Sequence, residues 1–468
     1  MNIFPLKFKP VGDREIFFAD DAGGYFKSDV SFLDRYAAGA LDEADCGFLL
    51  KSGHGFQDDE GLDFASFSYR FAQRLHLPKD LNYVILVPTL RCNLACSYCQ
   101  VSRVNEHAHG HDWDEYTEAA VIRWLDALAT DNIKIEFQGG EPLLRLDILQ
   151  RVRAFARSRF KTSSFVVCTN LQDVSEEAWS FLSENDTSTS TSLDATVALH
   201  EQQRTMSASR TSDFLRNLEH AVRSFPDRVS ALPTIDPHRP PEPLQVIKTF
   251  ARFGMRSIYL RPVNHQGFAR KRFAAKDSAA SWNAYHARFI DALIAHNWSS
   301  DQPVEEYYFT HCVRRVLRSG HDGHVDLRNP NIVGHSYLVI DYDGVFYPTD
   351  EARMITRVGQ IDLGLGNVRT GLRRELFAEL NEGSINNFDP DCVHCPYQAF
   401  CGVDVIDDLS RYGRIDLPRH MTHFCQRHTA LFDKIFEMIY SKDEKVLKSM
   451  AIWAGVEHFD TSLARLHA

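Results

Sequence analysis

Six strand-like segments separated by helical patterns, running from residue 83 to residue 262, constrain the fold more than anything else in this 468-residue chain. The strands read at 83–88, 134–138, 164–169, 189–193, 229–235 and 257–262. Apolar residues at helical spacing fill 116–129, 147–160, 175–183, 212–225 and 244–253 between most of them. Six such βα units specify an α/β fold, a parallel sheet curled into a partial (βα)6 TIM-like barrel. Barrel enzymes carry their sites at the C-terminal ends of the strands, so the residues that follow each strand are the candidates for chemistry.

The loop after the first strand reads TLRCNLACSYCQ and packs Cys92, Cys96 and Cys99 into eight residues. Three thiolates at Cys-x3-Cys-x2-Cys spacing leave one iron of a 4Fe–4S cluster open to a ligand that is not protein. A tetrahedral zinc site wants four ligands, usually from two Cys-x2-4-Cys pairs, which this loop does not supply. The second strand ends in Gly139-Gly140-Glu141-Pro142. Two glycines let backbone approach a ligand closely, and a neighbouring carboxylate can hold a cation. Further strand ends carry Thr169-Asn170, Ser192-x-Asp194 with His200 and Arg204 beyond, and Arg261. Each of these also reads as a helix cap or a solvated loop residue.

The cysteine triplet with Tyr98 before its last member, followed about forty residues on by the GGEP strand end, resembles the signature of the radical S-adenosylmethionine (SAM) enzymes. The resemblance implies that Cys92, Cys96 and Cys99 hold a catalytic 4Fe–4S cluster whose open iron binds SAM. The reduced cluster then splits SAM into methionine and a 5′-deoxyadenosyl radical. It also implies that Gly139, Gly140, Glu141 and Pro142 bind the SAM amino group. Tyr98, Asn170, Ser192 and Arg204 are the further cofactor-binding candidates, the polar strand ends meeting the ribose or carboxylate.

A second group, Cys392-x2-Cys395-x5-Cys401 with Cys425 further on, offers four thiols, enough for a structural zinc or an iron–sulfur cluster. The segment resembles the SPASM domain found behind such barrels in peptide maturases, which implies iron–sulfur. That domain holds two auxiliary clusters, and this chain departs from it at one of them. Asn331, Thr349 and Asp404 stand where cysteines are expected. One auxiliary 4Fe–4S cluster is therefore expected, with zinc as the alternative, and the three substituted positions are expected to pack as a polar, metal-free remnant. If two such clusters relay an electron away from an oxidised substrate, losing the inner one hampers the relay, so either the remaining cluster is structural or the reaction needs no net oxidation, as in epimerisation. Cys312, in the run 305–315, reads as a core cysteine that could serve as the hydrogen-returning thiol; Cys46 and Cys168 read as core thiols.

Domain boundaries are expected at 1–80 (a small N-terminal α+β unit), 81–270 (the barrel), 271–310 (a helical linker), 311–430 (the SPASM/twitch-like cysteine-rich domain) and 431–468 (a helical tail). The first unit, short strands around Asp20–Gly24 followed by two helical patterns, resembles the peptide-binding domain PqqD and implies capture of a precursor leader by strand addition. His107, His109 and His111 alternate in a polar loop where a metal grip competes with plain solvation.

The net charge of −11 argues against broad nucleic-acid or anionic-membrane binding, and no apolar run reaches membrane-spanning length. Ten cysteines, seven of them in two groups, suit metal ligation in a reducing cytoplasm. Across nearly the whole chain the best resemblance is to the radical SAM maturase of the His-Xaa-Ser system. It is carried by Phe8-Lys9-Pro10-Val11-Gly12, Asp21-Ala22-Gly23, Leu260-Arg261-Pro262-Val263-Asn264 with Gly267-Phe268-Ala269, and Asp350-Glu351-Ala352-Arg353-Met354. This implies a ribosomally made peptide or small protein as substrate, an electron donor such as a flavodoxin or ferredoxin, and a second radical SAM protein as partner. Side-chain crosslinking is the first expected outcome and epimerisation the second. The alternatives are a small-molecule substrate and a catalytically silent iron–sulfur scaffold.

Overall fold

The computed structural model describes residues 1–76, 80–264, 266, 267, 269, 279–320 and 324–467; Phe268 and the stretch 271–278 of the expected linker lie outside them. A three-stranded antiparallel sheet opens the chain, with β1 (Leu6–Val11), β2 (Glu15–Asp20) and β3 (Tyr25–Asp29) in sequential order. Helices α1 (Val30–Ala38), α2 (Glu43–Ser52) and α3 (Leu62–Arg74) follow. The Asp29 side chain caps α1, and Asp42 with Asp45 forms a capping box on α2, satisfying amides that the helix itself leaves open.

The two faces of β2 serve two different cores. Ile16 and Phe18 pack with Phe26, Phe32 and Leu49 inside the small unit. Phe17 and Ala19, one residue out of phase, join the main core. There Phe17 meets Phe436 with ring centroids 4.4 Å apart, and Tyr25 meets the same ring at 5.0 Å.

The barrel strands are β4 (Tyr83–Leu86), β5 (Asn132–Phe137), β6 (Thr162–Cys168), β7 (Thr187–Thr191) and β8 (Val229–Ala231). They pair in parallel, each beside its predecessor. The strand expected over 229–235 breaks at Pro233, which has no amide to give a ladder. Thr234–Ile235 (β9) pairs instead with Arg261–Pro262 (β11), and Ser257–Ile258 (β10) pairs with Glu305–Glu306. On the other flank of β4 the sheet takes in β12 (Tyr337–Ile340), in parallel, and then the antiparallel β13 (Phe346–Tyr347). The seven-stranded order is thus β8-β7-β6-β5-β4-β12-β13. Its helix-facing side buries Leu86, Ile135, Phe137, Phe165 and Val167 against Val121, Leu149, Val152, Phe181, Phe214 and Leu218 from the intervening helices. Each such side chain contributes on the order of 1.5–3 kcal/mol by leaving water.

Two expected boundaries, 310/311 and 430/431, fall inside the helices Tyr307–Leu317 (α4) and His423–Ile439 (α5). The last helix, Glu444–Ala454 (α6), packs on the core through Met450 and Trp453. Among the described residues no helix is long and apolar enough to cross a membrane.

Candidate radical SAM site

The strand ends converge on a cavity of about 660 Å³, whose wall includes Cys92, Cys96, Cys99, Tyr98, Gly139, Gly140, Asn170, Ser192, Arg204 and Arg261. The loop after β4 is held from two sides. Gly140 and Glu141 donate their amides to the Thr89 and Arg91 carbonyls at 3.0 and 2.8 Å, so the GGEP backbone runs directly against the cysteine loop. That approach requires glycine: a Cβ on Gly139 would collide with the Thr89 carbonyl, and one on Gly140 with the Arg91 carbonyl. Gly139 also sits at φ +134°, which L side chains rarely adopt.

Glu141 is turned into the protein and is 1% exposed. Its carboxylate accepts the Leu143 amide at 3.2 Å and the Asn170 amide at 2.7 Å, and burial pushes its pKa up to about 7. It therefore ties the second strand end to the third, while Gly139 and Gly140 supply the cavity surface. Pro142 opens the short 3-10 turn Pro142–Arg145 behind them. Asn170, fastened by that amide, directs its Nδ2 to Asn93 Oδ1 at 2.8 Å and to Cys92 Sγ at 3.7 Å.

On the opposite wall the Tyr98 hydroxyl lies 2.6 Å from both oxygens of Asp194, and Arg204 Nη1 donates to it at 2.9 Å. Asp194 is fully buried, and burial raises its pKa to about 6 despite the opposing pull of Arg204. Arg204 stays charged: burial opposes its charge, but Cys96, Tyr98 and Asp194 outweigh it. It sits on a π-helical turn, Glu201–Thr205, the kind of local irregularity that recurs at functional sites. Its Nε is buried without a partner. His200 stacks on Phe214 at 4.2 Å, and burial lowers its pKa to about 3, so it is a neutral prop rather than a cavity group.

The three thiols fit a shared iron–sulfur group. Cys92 is pushed up to about 12, first by burial and then by Glu141, Cys96 and Cys99 beside it, so its thiol is neutral when nothing is bound.

The other cysteine group is also assembled. Cys392 follows Asp391 in a short turn, Cys425 lies in the first turn of α5, and Cys401 is raised by burial and by Cys425, Cys392 and Cys395 together. It abuts the small N-terminal sheet, where Lys7 Nζ donates to Gln398 at 2.8 Å. Asn331, Thr349 and Asp404 line an adjoining cavity of about 150 Å³, which shares Arg261, Pro262, Val325, Tyr337 and Glu351 with the first. Thr349 caps the helix Asp350–Arg357 and Asp404 caps Val405–Tyr412, while Asn331 donates to the Val403 carbonyl at 2.9 Å.

Of two cysteines read as core thiols, one differs from that reading and one matches it. Cys168, at the end of β6, lines the cavity and donates to Glu136 at 3.3 Å, whereas Cys312 is buried in the core of α4. The alternation of residues along β6 could have shown this, since Val167 points to the helix side and Cys168 to the other. His107 and His109 are exposed and His111 packs on Tyr342, so the histidine run does not converge. From beyond the barrel, Asp350 and Glu351 of the Asp350–Met354 stretch also line the cavity, as do Tyr307 and His311, which no local motif marks.

Residues 86–251 match the family model described as the Radical SAM superfamily. A 117-residue stretch is 31% identical to an uncharacterized protein of Methanocaldococcus jannaschii, covering 24% of this chain and 39% of that relative. The chain thus spans well under half the length of that curated relative. Among solved structures, anSMEcpe with bound AdoMet superposes with a TM-score of 0.61 at 19% identity, over 76% of this chain and 97% of that one. The same protein with AdoMet and the Kp18Cys peptide superposes with 0.61 at 17% identity, over 80% and 99%. These likenesses show the fold. With the cysteine loop, the double-glycine strand end and the strands β5 to β8 inside the matched stretch, residues 86–251 form a radical SAM domain.

Proposed function

We propose that this chain is a radical SAM enzyme that modifies a ribosomally made peptide or small protein. The observation that carries the reading is the single cavity that gathers three thiols, the bare backbone of Gly139-Gly140 and the polar ends of three further strands. Bound there, a 4Fe–4S cluster and SAM supply hydrogen abstraction from an unactivated C–H bond. Cys92, Cys96 and Cys99 would hold the cluster, and Gly139, Gly140, Asn170, Ser192 and Arg204 would meet SAM. Asn170 orients Cys92, and the Tyr98–Asp194–Arg204 triad keeps the far wall charged and dry. A peptide substrate is supported by the likeness to anSMEcpe, which has been solved with peptides bound.

Cys392, Cys395, Cys401 and Cys425 would hold one auxiliary 4Fe–4S cluster, with zinc as the alternative. A flavodoxin- or ferredoxin-type donor would supply electrons. On the narrower reading, a maturase of the His-Xaa-Ser system working with a second radical SAM protein, side-chain crosslinking is the outcome. Epimerisation has one specific support: the Cys168 thiol stands in the cavity, kept protonated by burial and by Glu136, where it could give a hydrogen atom to a substrate carbon radical, the resulting thiyl taking one electron from the donor and one proton to become thiol again.

The test is anaerobic incubation of iron-loaded protein with SAM and dithionite. Release of 5′-deoxyadenosine that Cys92→Ala abolishes supports the enzyme. A fully loaded protein that releases none is a scaffold. Turnover with small metabolites but with no peptide would favour the small-molecule alternative.

A further inference from the structure

The edge strand β3 of the N-terminal sheet is covered by the chain's own segment Arg465-Leu466-His467. The segment runs parallel to β3, with Leu466 opposite Lys27. Lys27 N–H donates to the Arg465 carbonyl at 3.0 Å, and His467 N–H donates to the Lys27 carbonyl at 2.9 Å. The Ser28 hydroxyl adds a bond to the His467 carbonyl at 3.0 Å. An added strand of this kind gains its affinity from main-chain bonds and its selectivity from side-chain pockets.

Only one side chain of the segment enters a pocket. The His467 ring stacks on Phe48 with centroids 4.4 Å apart and planes 15° apart, and it meets Phe32 edge-on at 5.1 Å. Its Nε2 lies 2.7 Å from Asp45 Oδ1. Asp45 is 1% exposed and is gripped by both arms of the Arg35 guanidinium at 2.6 and 2.7 Å, so its carboxylate is fixed in place. Leu466 remains 62% exposed, and Arg465 reaches out to the Ser52 carbonyl. The pocket thus selects an imidazole and is indifferent to the residue before it. All of its walls, Phe32, Asp45 and Phe48, come from α1 and α2 of the small unit.

We propose that Arg465–His467 is an autoinhibitory strand: it occupies the β3 edge and, through His467, the Phe32–Asp45–Phe48 pocket, and so keeps out an extended peptide that would pair there. The edge's amide and carbonyl at Lys27 serve any strand that arrives in the same register. An incoming histidine-bearing strand displaces the segment residue for residue, and the site is closed to peptides that cannot do so. That such a peptide is also the substrate rests on the function proposed above; the binding does not.

The test uses a fluorescently labelled synthetic peptide of residues 460–468, followed by anisotropy without SAM or reductant, so that its failure is separate from any failure of the radical chemistry. Protein truncated after residue 459 is expected to bind the probe at least ten-fold more tightly than the full chain. A probe with alanine at the position of His467 is expected to lose at least ten-fold in affinity. The full-length His467→Ala variant, which keeps its length, is expected to bind the probe more tightly than the native chain and covers the case of a truncated chain that does not fold. Equal binding by full-length and folded truncated protein would overturn the competitor role, and indifference to the probe's histidine would overturn the pocket. No binding by either the folded truncated chain or the His467→Ala variant would overturn the site itself.

Discussion

The hydroxyl of Tyr98, the residue before Cys99 in the cysteine loop, sits 2.6 Å from each oxygen of Asp194 and bridges that buried carboxylate to the Arg204 guanidinium. Asp194 follows β7 and Tyr98 follows β4, so this contact fastens two strand ends across the cavity. Tyr98→Phe removes the bridge and leaves Asp194 short of a donor. A lost hydrogen bond to a charged group costs about 1.5–3 kcal/mol. The variant is expected to unfold at lower urea concentration and to lose iron faster on gel filtration, with its circular dichroism spectrum unchanged.

Gly140→Ala would drive a methyl group into the Arg91 and Leu90 carbonyls, which cannot retreat without moving Cys92. Overpacking of this sort costs about 1–3 kcal/mol. Iron bound by the first cysteine group is expected to drop by more than half, while the second group keeps its metal. Native iron content in this variant would show that the loop shifts without harm to the thiols.

Metal stoichiometry separates the two cysteine groups. Anaerobically prepared protein is expected to carry about eight irons per chain, and Cys92→Ala and Cys401→Ala about four each. Only the first substitution should abolish 5′-deoxyadenosine release outright. About four irons and one zinc in the native chain would make the second group a structural zinc site.

Arg353 is a fully buried guanidinium that holds Asp350 at 2.8 Å and lies 3.8 Å from Asp341. Arg353→Met fills the space but strands a buried carboxylate, a change that costs about 3–5 kcal/mol. Chemical denaturation should show the loss, and the double variant Arg353→Met with Asp350→Leu should recover part of it.

Much of the barrel was legible because its strands and helices announce themselves by period. Strands 134–138 and 164–169 lie within two or three residues of β5 and β6, and both family motifs sit at strand ends. What local pattern does not carry is partnership. Nothing in the residues 337–347 says that they extend the barrel sheet beside β4, because that register depends on a contact some 250 positions away along the chain. The role of Glu141 was misdirected for a related reason. A carboxylate beside two glycines reads as a ligand group, but its side chain turns inward to the Asn170 amide, a choice made by tertiary packing. Asn331, Thr349 and Asp404 do line one cavity, and two of them had a second vocation as helix caps that their residue types would have allowed one to foresee.

The alternation of Phe17 and Phe18 along β2 has a mechanical outcome. One strand is built into two cores at once, so the first thirty residues are not a module on a leash that searches for the catalytic body. Whatever the β3 edge holds is held at a set distance and heading from the barrel mouth, as on a jig. A tethered domain gains local concentration but blurs position; a shared strand keeps the position. The separation between the residue gripped and the residue altered would then be measured out by the protein, as a fixed count along the partner chain.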